Sequence, residues 1–115
     1  MIVGVGVDIV LISRIRESII EKVLSSEEKQ KMASFASDSR KREFLAGRFA
    51  VKEAIKKALL EYEGFHSMNE LIVVNDKNGR PELISPVFSD KVVHLSISHE
   101  RQYAVGLCVV ETKNL

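Results

Sequence analysis

Residues 44–60 read FLAGRFAVKEAIKKALL, and the periodicity of this stretch predicts one helix, nearly buried. At about 3.6 residues per turn, Phe44, Val51, Ile55, Ala58 and Leu59 share one stripe. Glu53 falls on the opposite side, where Ala46, Phe49, Ala50 and Leu60 lie with Lys56 and Lys57. A carboxylate on such a face costs folding free energy unless a cation or hydrogen-bond donors meet it. The plainest reading is a surface ion pair between Glu53 and Lys57 at i,i+4, contributing about 0.3–0.5 kcal/mol. The start of the chain shifts that balance.

Residues 1–10, MIVGVGVDIV, predict a buried strand. Strand alternation places Gly4, Gly6, Asp8 and Val10 on one side and Val3, Val5, Val7 and Ile9 on the other. Asp8 is then a carboxylate on the face left open by two glycines, and a buried Asp needs a partner. The bland alternative is an Asp capping the next helix. Val10, Leu11 and Ile12 place that cap later, near Ser13.

From Ile12 to Leu24 the sequence predicts an amphipathic helix. Ile12, Ile15, Ile19, Ile20 and Val23 face inward, and Arg14, Arg16 and Lys22 project outward as a solvated face or a docking patch for an acidic partner. Ser25 and Glu28 form a capping-box signature for a short helix running to about Phe35. Asp38 and Ser39 offer a cap for the long helix. That helix opens on Arg40, Lys41 and Arg42, cations that oppose the macrodipole and are better explained if they bind phosphates.

Past the helix, Glu63, Gly64, His66 and Ser67 break the pattern, with His66 read as a loop residue. Leu71 to Asn75 predicts a strand, Asp76-Lys77-Asn78-Gly79 a hairpin turn, and Glu82 to Ser85 its return. Residues 92–98 and 102–111 complete the strands. One strand, three helices and then hairpins indicate an α+β fold, with helices on a mainly antiparallel sheet in a single domain spanning 1–115. His94, Ser96 and Ser98 share a strand face, but no nucleophile-elbow pattern accompanies them.

Composition narrows the classes. With 115 residues the chain suits one domain and a modest core. A net charge of +1 argues against a nucleic-acid partner and leaves any acidic partner to a local patch. Cys108, the single cysteine, lies in the apolar run YAVGLCVV and reads as inert core, which fits a reducing compartment. No apolar run is long enough for a membrane span, and residues 1–10 lack a signal-peptide pattern, so the cytoplasm is the expected location.

Three stretches, GVGVDIV, FLAGRFAVKEAIKKA and HLSISH, together resemble the bacterial holo-acyl-carrier-protein synthases, the small 4′-phosphopantetheinyl transferases. The spacing Phe49-x-x-Lys52-Glu53-Ala54-x-x-Lys57, joined to Gly-x-Asp at 6–8, is the most specific part; Phe49 stands where the wider superfamily often has Trp. The resemblance implies transfer of the phosphopantetheine arm of coenzyme A to a serine of apo-acyl carrier protein, with Mg²⁺, releasing adenosine 3′,5′-bisphosphate. It implies Asp8 and Glu53 as metal carboxylates and catalytic groups, and Lys57 at the pyrophosphate. Arg40, Arg48, Lys52 and His99 match positions near coenzyme A. Asn78-Gly79-Arg80-Pro81 resembles the family's Asn-Gly-Lys-Pro hairpin at the nucleotide, and Arg14, Arg16 and Lys22 match carrier-protein docking. Where relatives often carry Gly, Leu59-Leu60-Glu61 is expected to prolong the helix.

The chemistry agrees with these residue types. Attack of a hydroxyl on a pyrophosphate needs positioning and charge neutralisation. Mg²⁺ accepts one or two protein carboxylates alongside phosphate and water. Glu53 or a metal-bound water are the candidates for taking the serine proton. Two other functions compete: a non-catalytic module for a nucleotide or acidic protein, and a metal-dependent phosphohydrolase that needs no carrier. The family also implies a homotrimer with its active site between protomers. Val92, Leu95, Ile97, Val105, Leu107, Val109 and Val110 offer more apolar surface than a small monomer hides, which supports it.

Overall fold

The computed structural model describes all residues except 61, 63, 65, 66, 114 and 115, so His66 and Glu63 lie outside the described residues. Strand β1 (Ile2–Leu11) leads through two 3₁₀ turns to the short helices α1 (Ile20–Val23) and α2 (Ser26–Ala33). The long helix α3 (Asp38–Ala58) follows. The hairpin β2 (Ile72–Asn75) and β3 (Pro81–Ser85) comes next, then β4 (Lys91–His99) and β5 (Tyr103–Thr112). All pairings are antiparallel. The strands form a three-stranded sheet ordered β1-β5-β4 and a separate two-stranded sheet. The fold is α+β, as expected.

Helix α3 lies against the sheet because glycines let it. A Cβ on Gly6 would stand 2.0 Å from the Ala54 carbonyl oxygen, and one on Gly106 would stand 2.4 Å from Val51 Cα. The helix backbone thus touches β1 and β5 where side chains are missing. Val51, Ala54 and Ile55 are sealed there against Cys108 and Val110. Each large aliphatic side chain so buried contributes about 1.5–3 kcal/mol. Cys108 is fully enclosed, as its apolar run predicted.

Several local expectations need correction. The 12–24 segment is not one helix. Ile15 and Arg16 are extended (ψ 125° and 148°) between 3₁₀ turns at Ile12–Arg14 and Glu17–Ile19, and only Ile20–Val23 is α-helical. Four isoleucines and two serines are mediocre helix formers, and a short helix cannot offset its nucleation cost. The alternation of inward isoleucines and outward Arg14, Arg16 and Lys22 persists nonetheless. Helix α3 ends at Ala58, so Leu59-Leu60 does not prolong it; Leu59 turns inward at φ −114°, ψ 41°, while Leu60 is exposed. Its cap is Ser37, whose Oγ accepts from Arg40 N at 3.1 Å. The capping box forms as read, and Gly79 takes φ +82° at the hairpin tip.

Strand β1 is buried on one face only. Val3, Val5, Val7 and Ile9 point away from α3 and are 49–64% exposed, with Leu107 of β5 beside them in register with Val7. The surplus apolar surface therefore centres on β1. Among the residues expected to supply it, Leu107 is exposed, Val110 is core, and Val92, Leu95, Ile97, Val105 and Val109 are half-buried. Among the described residues, no helix is long and apolar enough to cross a membrane.

Candidate active site

Asp8 follows Gly4 and Gly6 on the inner face of β1, between Gly6 against Ala54 and Val10 against Ala46 of α3. Lys57, on the last turn of α3, donates to Asp8 Oδ1 at 3.2 Å and to the Val7 carbonyl at 2.9 Å. The i,i+4 pair of Glu53 with Lys57 does not form: Lys57 turns to the strand, and Glu53 pairs with Lys56 at 3.7 Å. Asp8 and Glu53 both open into one cleft of about 450 Å³, lined also by Arg14, Arg16 and Phe49. Their side chains are partly exposed, at 20% and 29%. Two carboxylates bordered by a lysine and two arginines form an anion-rich and cation-rich pair of walls, suited to a divalent cation and a phosphate together. No group of three or more His, Cys, Asp or Glu side chains gathers among the described residues. The donor set is therefore thin, and it fits Mg²⁺, which takes the rest of its shell from phosphate and water.

A second cleft, about 280 Å³, opens on the opposite side of α3. Arg40, Arg48, Gly79, Pro81 and His99 line it together, from helix, hairpin and strand end. His99 Nδ1 lies 3.6 Å from Glu43, and Arg40 stacks over Phe35 at 4.7 Å. Asn78 and Arg80 are exposed at the hairpin tip, where their backbone N–H groups donate to Asp76 Oδ1 at 2.8 and 3.0 Å. Those bonds, Arg80 first, hold the Asp76 carboxyl below the usual range. Arg40 and Arg48 on one helical face and Phe49 and Glu53 on the other place the two clefts apart within one chain. Lys22 is exposed on α1 and does not line the carboxylate cleft with Arg14 and Arg16.

Lys52 needs correction. It was expected near coenzyme A, but it is wholly enclosed, its Nζ donating to Glu28 Oε1 and the Val23 carbonyl, both at 2.6 Å. Its position on α3 faces α1 and α2, and it lines neither cleft. Burial lowers its pKa, and the Glu28 charge opposes that. Arg48 is also buried, which lowers its pKa in the same way. It stacks on Phe44 at 4.5 Å and donates from Nη2 to Asn75 Oδ1 at 3.1 Å. Glu28 and Asn75 escaped the sequence reading as members of this region. The capping box accounted for Glu28 completely, and nothing local links residue 28 to residues 48, 52 and 73.

Helix over glycine-lined sheet, paired carboxylates and a separate basic cleft define a phosphoryl-group-handling protein of the α+β class. Residues 4–108 match the 4′-phosphopantetheinyl transferase superfamily, and the chain belongs to it. It is 43% identical to the holo-[acyl-carrier-protein] synthase of Anoxybacillus flavithermus, over 96% of this chain and 97% of that one. The Staphylococcus aureus enzyme of the same name is 41% identical with the same coverage. Among solved structures, the Bacillus anthracis holo-(acyl-carrier-protein) synthase in complex with CoA (3′,5′-ADP) superposes with a TM-score of 0.84. It is 38% identical, over 98% of this chain and 99% of that one.

Proposed function

We propose that the protein is a holo-[acyl-carrier-protein] synthase that uses coenzyme A. The carrying observation is that Asp8 and Glu53, 45 residues apart in sequence, share one cleft while Lys57 rests on Asp8. Asp8 and Glu53 would hold Mg²⁺, which when bound neutralises pyrophosphate charge. The serine hydroxyl of the carrier attacks the phosphorus that bears the pantetheine arm. The bond from that phosphorus to the bridging oxygen breaks, and adenosine 3′,5′-bisphosphate leaves. Glu53, partly open to the cleft, is placed to take the serine proton. Lys57 needs only to swing from Asp8 to meet the oxygen on which negative charge develops. Arg14 and Arg16 border the same cleft on an exposed face, where an acidic carrier helix can dock with its serine near Glu53.

The nucleotide half of coenzyme A suits the basic cleft of Arg40, Arg48 and His99 with the Asn78–Pro81 hairpin. Because α3 stands between the two clefts of one chain, a shared site is the economical arrangement: the carboxylate cleft of one protomer against the basic cleft of the next. The exposed β1 stripe of Val3, Val5, Val7 and Ile9 supplies an apolar face for a homotrimer of this kind. Cytoplasmic location follows from the reaction's substrates. The decisive experiment incubates apo-acyl carrier protein with coenzyme A, Mg²⁺ and this protein. Mass spectrometry should show the carrier gain one phosphopantetheine, and coenzyme A alone should not be hydrolysed. An unmodified carrier would exclude the reading.

A further inference from the structure

Beneath the basic cleft, one carboxylate lies between two buried cations. Glu28 Oε1 accepts from Lys52 Nζ at 2.6 Å and from Ser25 N at 2.8 Å. Its Oε2 accepts from Val73 N at 3.2 Å, while Arg48 Nε stops at 3.6 Å, beyond a hydrogen bond. Lys52 therefore makes the short contact with the carboxylate and Arg48 only a long ion pair. Arg48 Nε is the buried side-chain polar atom left without a partner among the described residues. Its guanidinium instead holds Asn75 at the end of β2, and Arg48 lines the cleft beside Arg40 and His99.

One anion cannot neutralise two enclosed cations, and an enclosed charge is costly unless paired. A guanidinium takes a carboxylate in a two-pronged bond whenever geometry allows. Arg48 is within an ångström of doing so. The Lys52 charge on Oε1 competes with Arg48, which faces Oε2, for the one carboxylate.

We propose that Lys52 is a positioning residue for the nucleotide end of coenzyme A: by sharing the Glu28 charge it stops Arg48 closing from its 3.6 Å ion pair onto the carboxylate and leaves it docked on Asn75 at the cleft wall. Lys52 never touches the ligand. Without its charge, Glu28 draws Arg48 inward, off Asn75, and the cleft loses a cation where a phosphate is to bind. The inference rests on the coenzyme A reading above.

The test measures binding of adenosine 3′,5′-bisphosphate by calorimetry, and KM for each substrate, in the intact protein. Lys52→Met should weaken nucleotide binding and raise KM for coenzyme A roughly tenfold, the usual loss for one charge-assisted contact, with KM for the carrier unchanged. Adding Glu28→Gln to Lys52→Met removes the anion that captures Arg48, and should restore affinity towards wild type. Two structural losses would instead compound. Should Lys52→Met not fold, Lys52→Gln removes the charge while keeping a polar side chain, and the same loss is expected. Unchanged nucleotide affinity in a folded Lys52 variant, or a double variant weaker than the single, would overturn the proposal. Failure of the wild type to modify the carrier while binding the nucleotide would sink the enzymatic reading alone.

Discussion

Lys57 Nζ lies 3.2 Å from Asp8 Oδ1, joining the end of the long helix to the first strand. The pair is half-exposed, so its own contribution to stability is small. Its importance is placement. Lys57 is held over the strand at the mouth of the carboxylate cleft, ready to exchange one anionic partner for another. Among the described residues it also leaves Glu53 with one loose partner, Lys56 at 3.7 Å.

Asp8→Ala and Glu53→Ala should each lower turnover about 10²–10³-fold or more, the range seen when one electrostatic element of a reacting site is removed. Both positions are partly exposed, so circular dichroism should be unchanged. Near wild-type rates across a Mg²⁺ titration, in either variant, would remove that residue from the site.

Reversing charge at the docking face separates the two substrates. Arg14→Glu should raise KM for the carrier, more at low salt than at high, because exposed charges steer association and salt screens them. KM for coenzyme A should stay constant. An equal change in both would place Arg14 elsewhere in the mechanism.

The contact of α3 with the sheet admits no side chain. Gly6→Ala would drive a Cβ against the Ala54 carbonyl, with rigid backbone on both sides. Overpacking of this kind costs about 1–3 kcal/mol or more, and urea denaturation should show a lower midpoint with unchanged slope. An unshifted midpoint would mean that the helix moves off the strand freely.

Assembly is checked by light scattering, which should give the mass of three chains. If the site is shared, and His99→Ala is inactive, mixing it with inactive Glu53→Ala protein after subunit exchange should regain activity. A fully active monodisperse monomer would refute the shared site.

Burial pushes the Cys108 thiol up to about 12. A raised thiol pKa favours the protonated form in the fold, so the associated stability is complete below the range where an unfolded thiol ionises. It is lost as pH climbs from there towards about 12, the unfolded state gaining a thiolate that the native state resists. At pH 8, iodoacetamide should alkylate Cys108 only after denaturation. Rapid labelling of native protein would show that the core opens readily.

The parts legible in the sequence are those governed by neighbours along the chain. The Ser25–Glu28 box, the Asn78-Gly79 turn and the 3.6-residue stripe of α3 up to Ala58 obey local rules of hydrogen bonding and periodicity, and they formed as read. Residues 12–24 misled because outward arginines and inward isoleucines recur at helical spacing, while the β-branched run lacks the propensity to sustain the helix without help. Alternation also marked Asp8 as sharing a face with Gly4 and Gly6, which is the face the helix covers.

The sequence by itself determined the residue types of the site and their spacing: a strand carboxylate after two glycines, and a helical Glu-x-x-x-Lys. Tertiary structure alone decided whom each charge meets. Lys57 leaves Glu53 for Asp8, 49 positions away, and Lys52 leaves the surface for Glu28, 24 positions away. The first choice depends on how closely α3 can approach the sheet, the second on how α1 and α2 pack across its other face. The approach to the sheet is set by missing side chains at Gly6 and Gly106 and by the core packed around them, neither of which is written at the charged positions themselves.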